Sequence, residues 1–404
     1  MNAAPDIPLL VLNCGSSSIK FAVFDVASQP LARQPAWKGK VEGITGPSPT
    51  LQAGDDEPAP IALAEGKPYR SALERIRALV DAWLAGRRLA AVAHRVVHGG
   101  AAYFEPVAVD GEVLARLRSL VPLAPLHQPF ALEAIDLLHA RDPDVPQIAC
   151  FDTGFHHTMP QVEQVLPLPY DAWERGMRRY GFHGLSYEYL SIALAERHGD
   201  AARGRCVAAH LGSGASLCAM HDLRSVSTTM GFSALDGLMM GTRCGSLDPG
   251  AVIYLMEIEK LSLEEVGRVL YHESGLLGLS GVSSDPRVLL PREADDERVA
   301  LAMALYVRRI VREIGGLAAV LGGLDMLAFT AGIGENNATV RARVCAGLAF
   351  LGVALDASAN EAGRPVISTA DSRVKVVVEP TNEEWIAARH GAALLRRPAP
   401  APDG

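Results

Sequence analysis

Short apolar runs along the chain alternate with small-residue turns, and longer stretches carry apolar positions at helical spacing. Residues 7–13 form an apolar run that predicts a strand, residues 15–18 a tight turn, and residues 19–25 a returning strand, which together make a β-hairpin. Residues 41–68 are rich in Pro, Gly and Asp and predict short strands joined by a polar excursion. A helix is predicted from Ser71: Leu73, Ile76, Val80 and Trp83 share one face, Ser71 and Glu74 have the spacing of a capping box, and Gly86 is the stop. Residues 89–97 read as a buried strand, 113–121 and 130–140 as helices, and 147–151 as another strand.

The second half repeats this order. Residues 206–211 and 215–222 predict strands around a turn at 212–214. A shift of 197 residues lays Gly15, Ser16, Ala22 and Asp25 on Gly212, Ser213, Ala219 and Asp222, four matches in thirteen positions. Helix 297–321, strand 326–330, helix 337–351, strand 374–378 and a helix from about Asn382 complete the pattern. The repeated order predicts an internal duplication, giving an α/β protein of two similar lobes with a ligand in the cleft between them. Length supports this, since 404 residues correspond to about two to three domains.

Composition narrows the class. Hydrophobic residues make up 49% and charged residues 21%, which disfavours long disorder and fibrous architectures. The formal net charge of −8 disfavours nucleic-acid or anionic-membrane partners, while leaving room for a local basic pocket for a small anion. No apolar run is long enough for a membrane span, and the first residues lack the pattern of a signal peptide. The six cysteines are scattered without zinc spacing, so reduced thiols in a cytoplasmic protein are expected.

Three glycine segments are candidates for phosphate binding. Asn13–Lys20 offers backbone donors, three serine hydroxyls, an amide and a lysine at one turn, and reads either as an ordinary serine-rich hairpin or as a phosphate cradle. His210–Gly214 and residues 331–337 are the other two; the last follows a predicted strand and precedes a helix, where free backbone donors can meet a nucleotide. Arg95 lies in an apolar strand and Arg243 follows a glycine-rich apolar stretch, so each calls for an acidic partner or an anionic ligand. Asp152 ends a strand, His183 sits in a loop before a helix, and Glu383 and Glu384 open the last helix. His94, His98, His156 and His157 read as structural or as supports behind the site, because neither pair has metal-binding spacing on a strand.

The motifs NCGSSSIKF (13–21), HRVVHGG (94–100), APLHQP (124–129), FDTGFH (151–156), RYGFHG (179–184), GLMMGTR (237–243), LDPG (247–250), ESGLLGLSG (273–281), GIGEN (332–336) and PTNEE (380–384) together resemble the acetate/propionate kinase family of the sugar kinase–Hsp70–actin superfamily. The resemblance spans nearly the whole chain. It implies two actin-like (ribonuclease H-like) lobes, the first of residues 1–151 completed by 386–404 and the second of residues 152–385. It implies Asn13 and Glu383 as positions for Mg²⁺ or Mn²⁺. ATP contacts are implied at Lys20, at His210, Leu211, Gly212, Ser213 and Gly214, at Asp285, Pro286 and Arg287, and at Gly332, Ile333, Gly334, Glu335 and Asn336. Arg95 corresponds to the substrate arginine, Asp152 to the acid–base aspartate, and His183 and Arg243 to the groups that stabilise the transition state. Val97, Leu126, Phe182 and Ala234 correspond to the acyl pocket, and a homodimer is implied.

Several positions depart from the family pattern. Ser213 stands for asparagine, Ser227 for aspartate, and Ala234 and Asp236 for proline and glutamate. Gly184-Leu-Ser-Tyr187 replaces GTSH, and Cys244-Gly-Ser246 replaces SGD. The expected reaction is reversible in-line transfer of the ATP γ-phosphoryl group to acetate. A kinase for propionate or another short acid, and an inactive nucleotide-binding regulator of the same fold, are the rival readings.

Overall fold

The buried apolar runs become the strands of two sheets. The structure, a computed structural model, describes residues 6–125 and 127–396, and these fall into two units. The first runs to Gly154 and resumes at Asn382; the second is Phe155–Thr381.

In the first unit, β1 (Pro8–Cys14) and β2 (Ser18–Asp25) form the expected hairpin, extended by β3 (Trp37–Glu42), β4 (Thr50–Ala53) and β5 (Ala59–Pro60). On the other side of β1 come β6 (Ala91–Val96), then β8 (Gln147–Phe151), edged by β7 (Val107–Ala108), giving the order β5-β4-β3-β2-β1-β6-β8-β7. β1, β6 and β8 run parallel, which fits crossover connections through helices. Helix Pro68–Leu84 packs Leu73, Ile76 and Val80 into this core. It starts three residues earlier than the capping pattern predicts. Pro68 takes the first turn, where its missing N–H costs nothing, and Glu74 pairs instead with Arg70 at 3.0 Å.

The second unit has β9 (Arg205–Leu211), β10 (Ala215–His221), β11 (Arg224–Thr228), β12 (Met326–Thr330) and β13 (Lys375–Val378) in the order β11-β10-β9-β12-β13. This is the β3-β2-β1-β6-β8 arrangement of the first unit, with β9, β12 and β13 again parallel. Register carries the likeness to single residues. Asn13 faces Arg95 across β1 and β6, and His210, the position 197 residues on, faces Thr330 across β9 and β12. Past the third parallel strand, the Asp152 amide donates to Val96 and the Glu379 amide to Phe329, at 3.1 and 3.0 Å. The chain is therefore α/β, with two duplicated halves.

Helix Glu297–Leu321 begins and ends where its apolar periodicity does, capped by Asp296 and stopped at Gly322. The predicted helix 337–351 is shorter, Ala338–Gly347 followed by a 3₁₀ turn at Ala349–Leu351. The last helix, Glu383–Arg396, belongs to the first unit, where Trp385 Nε1 donates to the Leu31 carbonyl at 3.2 Å. Among the described residues, no helix is long and apolar enough to cross a membrane. The six cysteines are free thiols, and burial pushes Cys14 up to about 12.

Candidate active site

The parallel strands of the first unit bring their C-terminal ends together, the usual location of ligands in open α/β sheets. Arg95 near the end of β6 grips Asp152, just past β8, with Nε at 2.9 and 3.0 Å from its two oxygens and Nη2 at 2.6 Å from Oδ2. Its Nη1 reaches Asn13 Oδ1 at 3.2 Å and Glu383 Oε2 at 3.0 Å. Asp152 is 2% exposed, whereas the Arg95 side chain retains 20%. Burial opposes the guanidinium charge, but Asp152 and Glu383 outweigh it and raise the Arg95 pKa. Arg95 thus has acidic partners and keeps an accessible edge for an anion. Lys20 is exposed on β2 and in register with Asn13, so Lys20, Asn13 and Arg95 share one face of the sheet.

The oxygens around Arg95 also bear on a metal. Among the described residues there is no cluster of three or more His, Cys, Asp or Glu fit to hold an ion. The Asn13 amide oxygen and the Glu383 and Asp152 carboxylates nevertheless form an all-oxygen set. Mg²⁺ typically takes one or two such groups and completes its shell with phosphate and water, so these residues fit it.

In the second unit, His183 caps helix Gly184–His198 with a left-handed φ of 59°, a conformation uncommon outside glycine. The loop before it is pinned: His156 Nε2 donates to the Phe182 carbonyl at 2.9 Å while its Nδ1 meets Ser225 Oγ at 2.9 Å. Gly181, at φ +75°, lies so close to the His156 ring that a Cβ would come within 2.6 Å of it. The His183 ring stacks on His210, centroids 4.0 Å apart and planes 15° apart. Its Nε2 lies 3.5 Å from where a Cβ on Gly214 would stand, and Arg243 Nη1 lies 3.5 Å from the same point. The two side chains converge on the β9–β10 turn. Arg243 donates to the Ala234 carbonyl at 3.2 Å, and burial lowers its pKa, with Tyr271 working in the opposite direction.

Beside that turn is a pocket of about 320 Å³ lined by Gly212, Ser213, Asp285, Pro286, Arg287, Gly332, Ile333 and Asn336, with Ser284 and Asn337. Three motif segments from distant parts of the chain meet there. His210, Leu211, Gly214, Gly334 and Glu335 do not line it. Glu335 accepts from the backbone amides of Ala331 and Thr381, at 2.8 and 3.1 Å, and so holds the glycine segment in place. That segment is itself a short helix, Ala331–Asn336, rather than a loop. Asp285 caps helix Pro286–Leu289 and pairs with Arg287 at 2.6 Å; that hydrogen-bonded pairing lowers its pKa.

Of the expected acyl-pocket residues, Val97 follows β6 in the first unit, Phe182 and Ala234 lie in the second, and Leu126 lies outside the described residues. His156 and His157 occupy a 3₁₀ turn, Gly154–Thr158, rather than a strand. His94 Nε2 meets Gln147 Oε1 at 2.8 Å, and His98 Nδ1 accepts from the Gly100 amide at 2.8 Å. Arg341 is a residue that motif reading passed over. Only 1% exposed, it donates to the Gly334 and Glu335 carbonyls at 3.0 and 2.8 Å and to Asn360, fastening the pocket wall from behind. An arginine in the pattern Ala-Thr-Val-Arg, on an otherwise apolar helix face, was the available signal. Two departures from the family pattern also meet: Ser246 Oγ donates to Asp236 Oδ1 at 2.8 Å.

The acetokinase family profile matches residues 8–389. The chain belongs to the acetokinase family. An acetate kinase of Rhodopseudomonas palustris is 49% identical over 95% of this chain and 97% of its own, and one of Rhizobium meliloti is 47% identical over 96% and 99%. Among solved structures, the acetate kinase of Porphyromonas gingivalis matches with a TM-score of 0.83 at 36% identity, covering 96% of this chain and all of that one. A propionate kinase from Francisella tularensis matches with a TM-score of 0.87 at 33% identity, covering 95% and 98%. Acetokinase membership gives the two duplicated halves their fold, the actin-like architecture of sugar kinases.

Proposed function

We propose that this acetokinase phosphorylates acetate reversibly with ATP. The observation that carries this reading is the convergence of His183 Nε2 and Arg243 Nη1 on the Gly214 turn beside the glycine-lined pocket. A cation and a ring nitrogen aimed at a nucleotide-binding turn are suited to the oxygens of a transferring phosphoryl group. A carboxylate oxygen of acetate attacks the γ-phosphorus as the bond to the bridging oxygen of ADP breaks, giving acetyl phosphate and ADP. The acceptor is already ionised, so the chemistry rests on positioning and charge neutralisation. Arg95 binds the acetate carboxylate, and Asp152 orients Arg95 and the acceptor. Arg243 and His183 hold the equatorial oxygens. Val97, Phe182 and Ala234 exclude water from the methyl group. The pocket residues hold ATP, with Lys20 on its phosphates.

Asn13 and Glu383 are the positions for Mg²⁺ or Mn²⁺, which when bound neutralises phosphate charge. The working form is a cytoplasmic homodimer. Helix Pro249–Glu257 and the residues after it support that state, because Ile253, Tyr254, Ile258 and Leu263 are all more than half exposed.

A hydroxamate assay with ATP, Mg²⁺ and a panel of short carboxylates tests the reading. Hydroxamate with acetate is the expected result, and none with any acid overturns it. Ala234, smaller than the family's proline, favours some acceptance of propionate, a second reading the same panel decides.

A further inference from the structure

Behind His183 lies a short hydrogen-bonded chain with no counterpart among the segments that carry the family resemblance. Its Nδ1 stands 2.9 Å from Ser216 Oγ, and Ser216 Oγ stands 2.6 Å from the Tyr187 hydroxyl. Ser216 and Tyr187 are both fully buried. Tyr187 closes the segment Gly184-Leu-Ser-Tyr187, one of the departures from the family pattern named above. We propose that Tyr187, acting through Ser216, is a positioning residue that holds His183 with its proton on Nε2, facing the transferring phosphoryl group.

The direction follows from donor counting. Burial keeps the Tyr187 phenol protonated. A buried phenol O–H needs an acceptor, and Ser216 Oγ at 2.6 Å is the one described for it, so Tyr187 is the donor across that contact. Ser216 then accepts from Tyr187 and turns its own single hydrogen to His183 Nδ1. An Nδ1 that accepts leaves the ring proton on Nε2, the nitrogen that faces the Gly214 turn beside Arg243. The opposite tautomer would point a lone pair at phosphate oxygens. Groups described around His183 include Arg243, the stacked His210 ring and the Tyr187–Ser216 pair. His210 is tied in the same way, its Nδ1 2.8 Å from Ser186 Oγ, which meets Thr381 Oγ1 at 2.9 Å. Each stacked ring therefore has a serine hydroxyl at Nδ1.

The inference rests on the phosphoryl-transfer role of His183, and its test separates the two. Long-range ¹H–¹⁵N spectra of histidine-labelled protein, with His183 assigned from the His183→Gln variant, are expected to show Nδ1 unprotonated and Nε2 protonated. In Tyr187→Phe the His183 signals should move toward a mixture of tautomers. The kcat should then fall about 10- to 100-fold, the scale seen when the outer partner of a functional histidine is removed, while KM for ATP and acetate stays within about twofold. Ser216→Ala should behave alike, and Ser216→Thr, which keeps the hydroxyl, should recover most of the activity. A protonated Nδ1 in the wild type, or unchanged spectra and kcat in Tyr187→Phe, overturns the inference. A wild type that makes no acyl phosphate overturns the kinase reading instead, and the spectra still decide the tautomer.

Discussion

Arg95 and Arg243 look alike in the sequence, each an arginine in apolar surroundings, but their partners differ. Arg95 is bound to Asp152 and Glu383, which raise its pKa, whereas at Arg243 burial prevails and lowers the pKa. Alanine at either position should cut kcat/KM by roughly 10²–10³, the loss expected for one preorganised donor to a transition state. Their stabilities should part. Arg95→Ala removes the cation paired with the buried Asp152 carboxylate, and breaking such a pair costs about 3–5 kcal/mol, an upper figure here because Arg95 keeps an exposed edge. Arg243→Ala relieves an arginine whose charge burial disfavours, so its melting temperature should stay near that of the wild type. Thermal melts beside steady-state kinetics measure both, and an equal drop in melting temperature for the two variants would refute the distinction. The need for a partner at Arg95 was legible because an embedded charge demands one. Which partner it finds was not, since Asp152 is 57 residues from Arg95 and Glu383 lies near the other end of the chain.

Among elements, the short helix Ala331–Asn336 shows how a binding surface depends on what lies behind it. Arg341 holds its last carbonyls, and Glu335 ties its first amide to Thr381. Arg341→Leu should raise KM for ATP about tenfold with little change in kcat, and each buried acceptor it strands costs about 1–3 kcal/mol. Nucleotide titration and a denaturant melt would show it; an unchanged KM would mean that the helix holds its shape alone. Strand and helix limits were readable where periodicity was strong and the boundary chemistry simple, as for residues 147–151, 297–321 and 326–330. They were misread where a local motif lost to a competitor. Ser71 and Glu74 have capping spacing, yet Pro68 starts the helix and Arg70 takes the glutamate. The Tyr187–Ser216–His183 chain was invisible for another reason: it joins a helix to a strand about thirty residues away, and hydrogen bonds between such elements leave no periodic trace.

For the whole molecule, buried histidines contribute to the loss of stability in acid. Burial lowers His94, His98 and His156 from 6.5 to about 4. Unfolding lets each take up a proton below pH 6.5, so their contribution is complete above that pH and lost as pH falls toward 4. Melting temperature should decline through this window, and His156→Gln should flatten the decline; a flat profile in the wild type would contradict it. If a second copy covers helix Pro249–Glu257, Ile258→Glu should yield a monomer by sedimentation, and an unchanged mass would place the contact elsewhere. The return of helix Glu383–Arg396 to the first unit carries a consequence for synthesis. Gly391 sits so near Leu9 that a Cβ would come within 2.5 Å of it, so this helix is part of the wall covering β1. On the ribosome the second unit has its whole sequence before that wall exists. The first, although begun earlier, keeps an apolar face open until residues 383–396 emerge. Arg95 and Glu383 meet only then, so the half of the molecule translated first is the last to complete its buried ion-pair cluster.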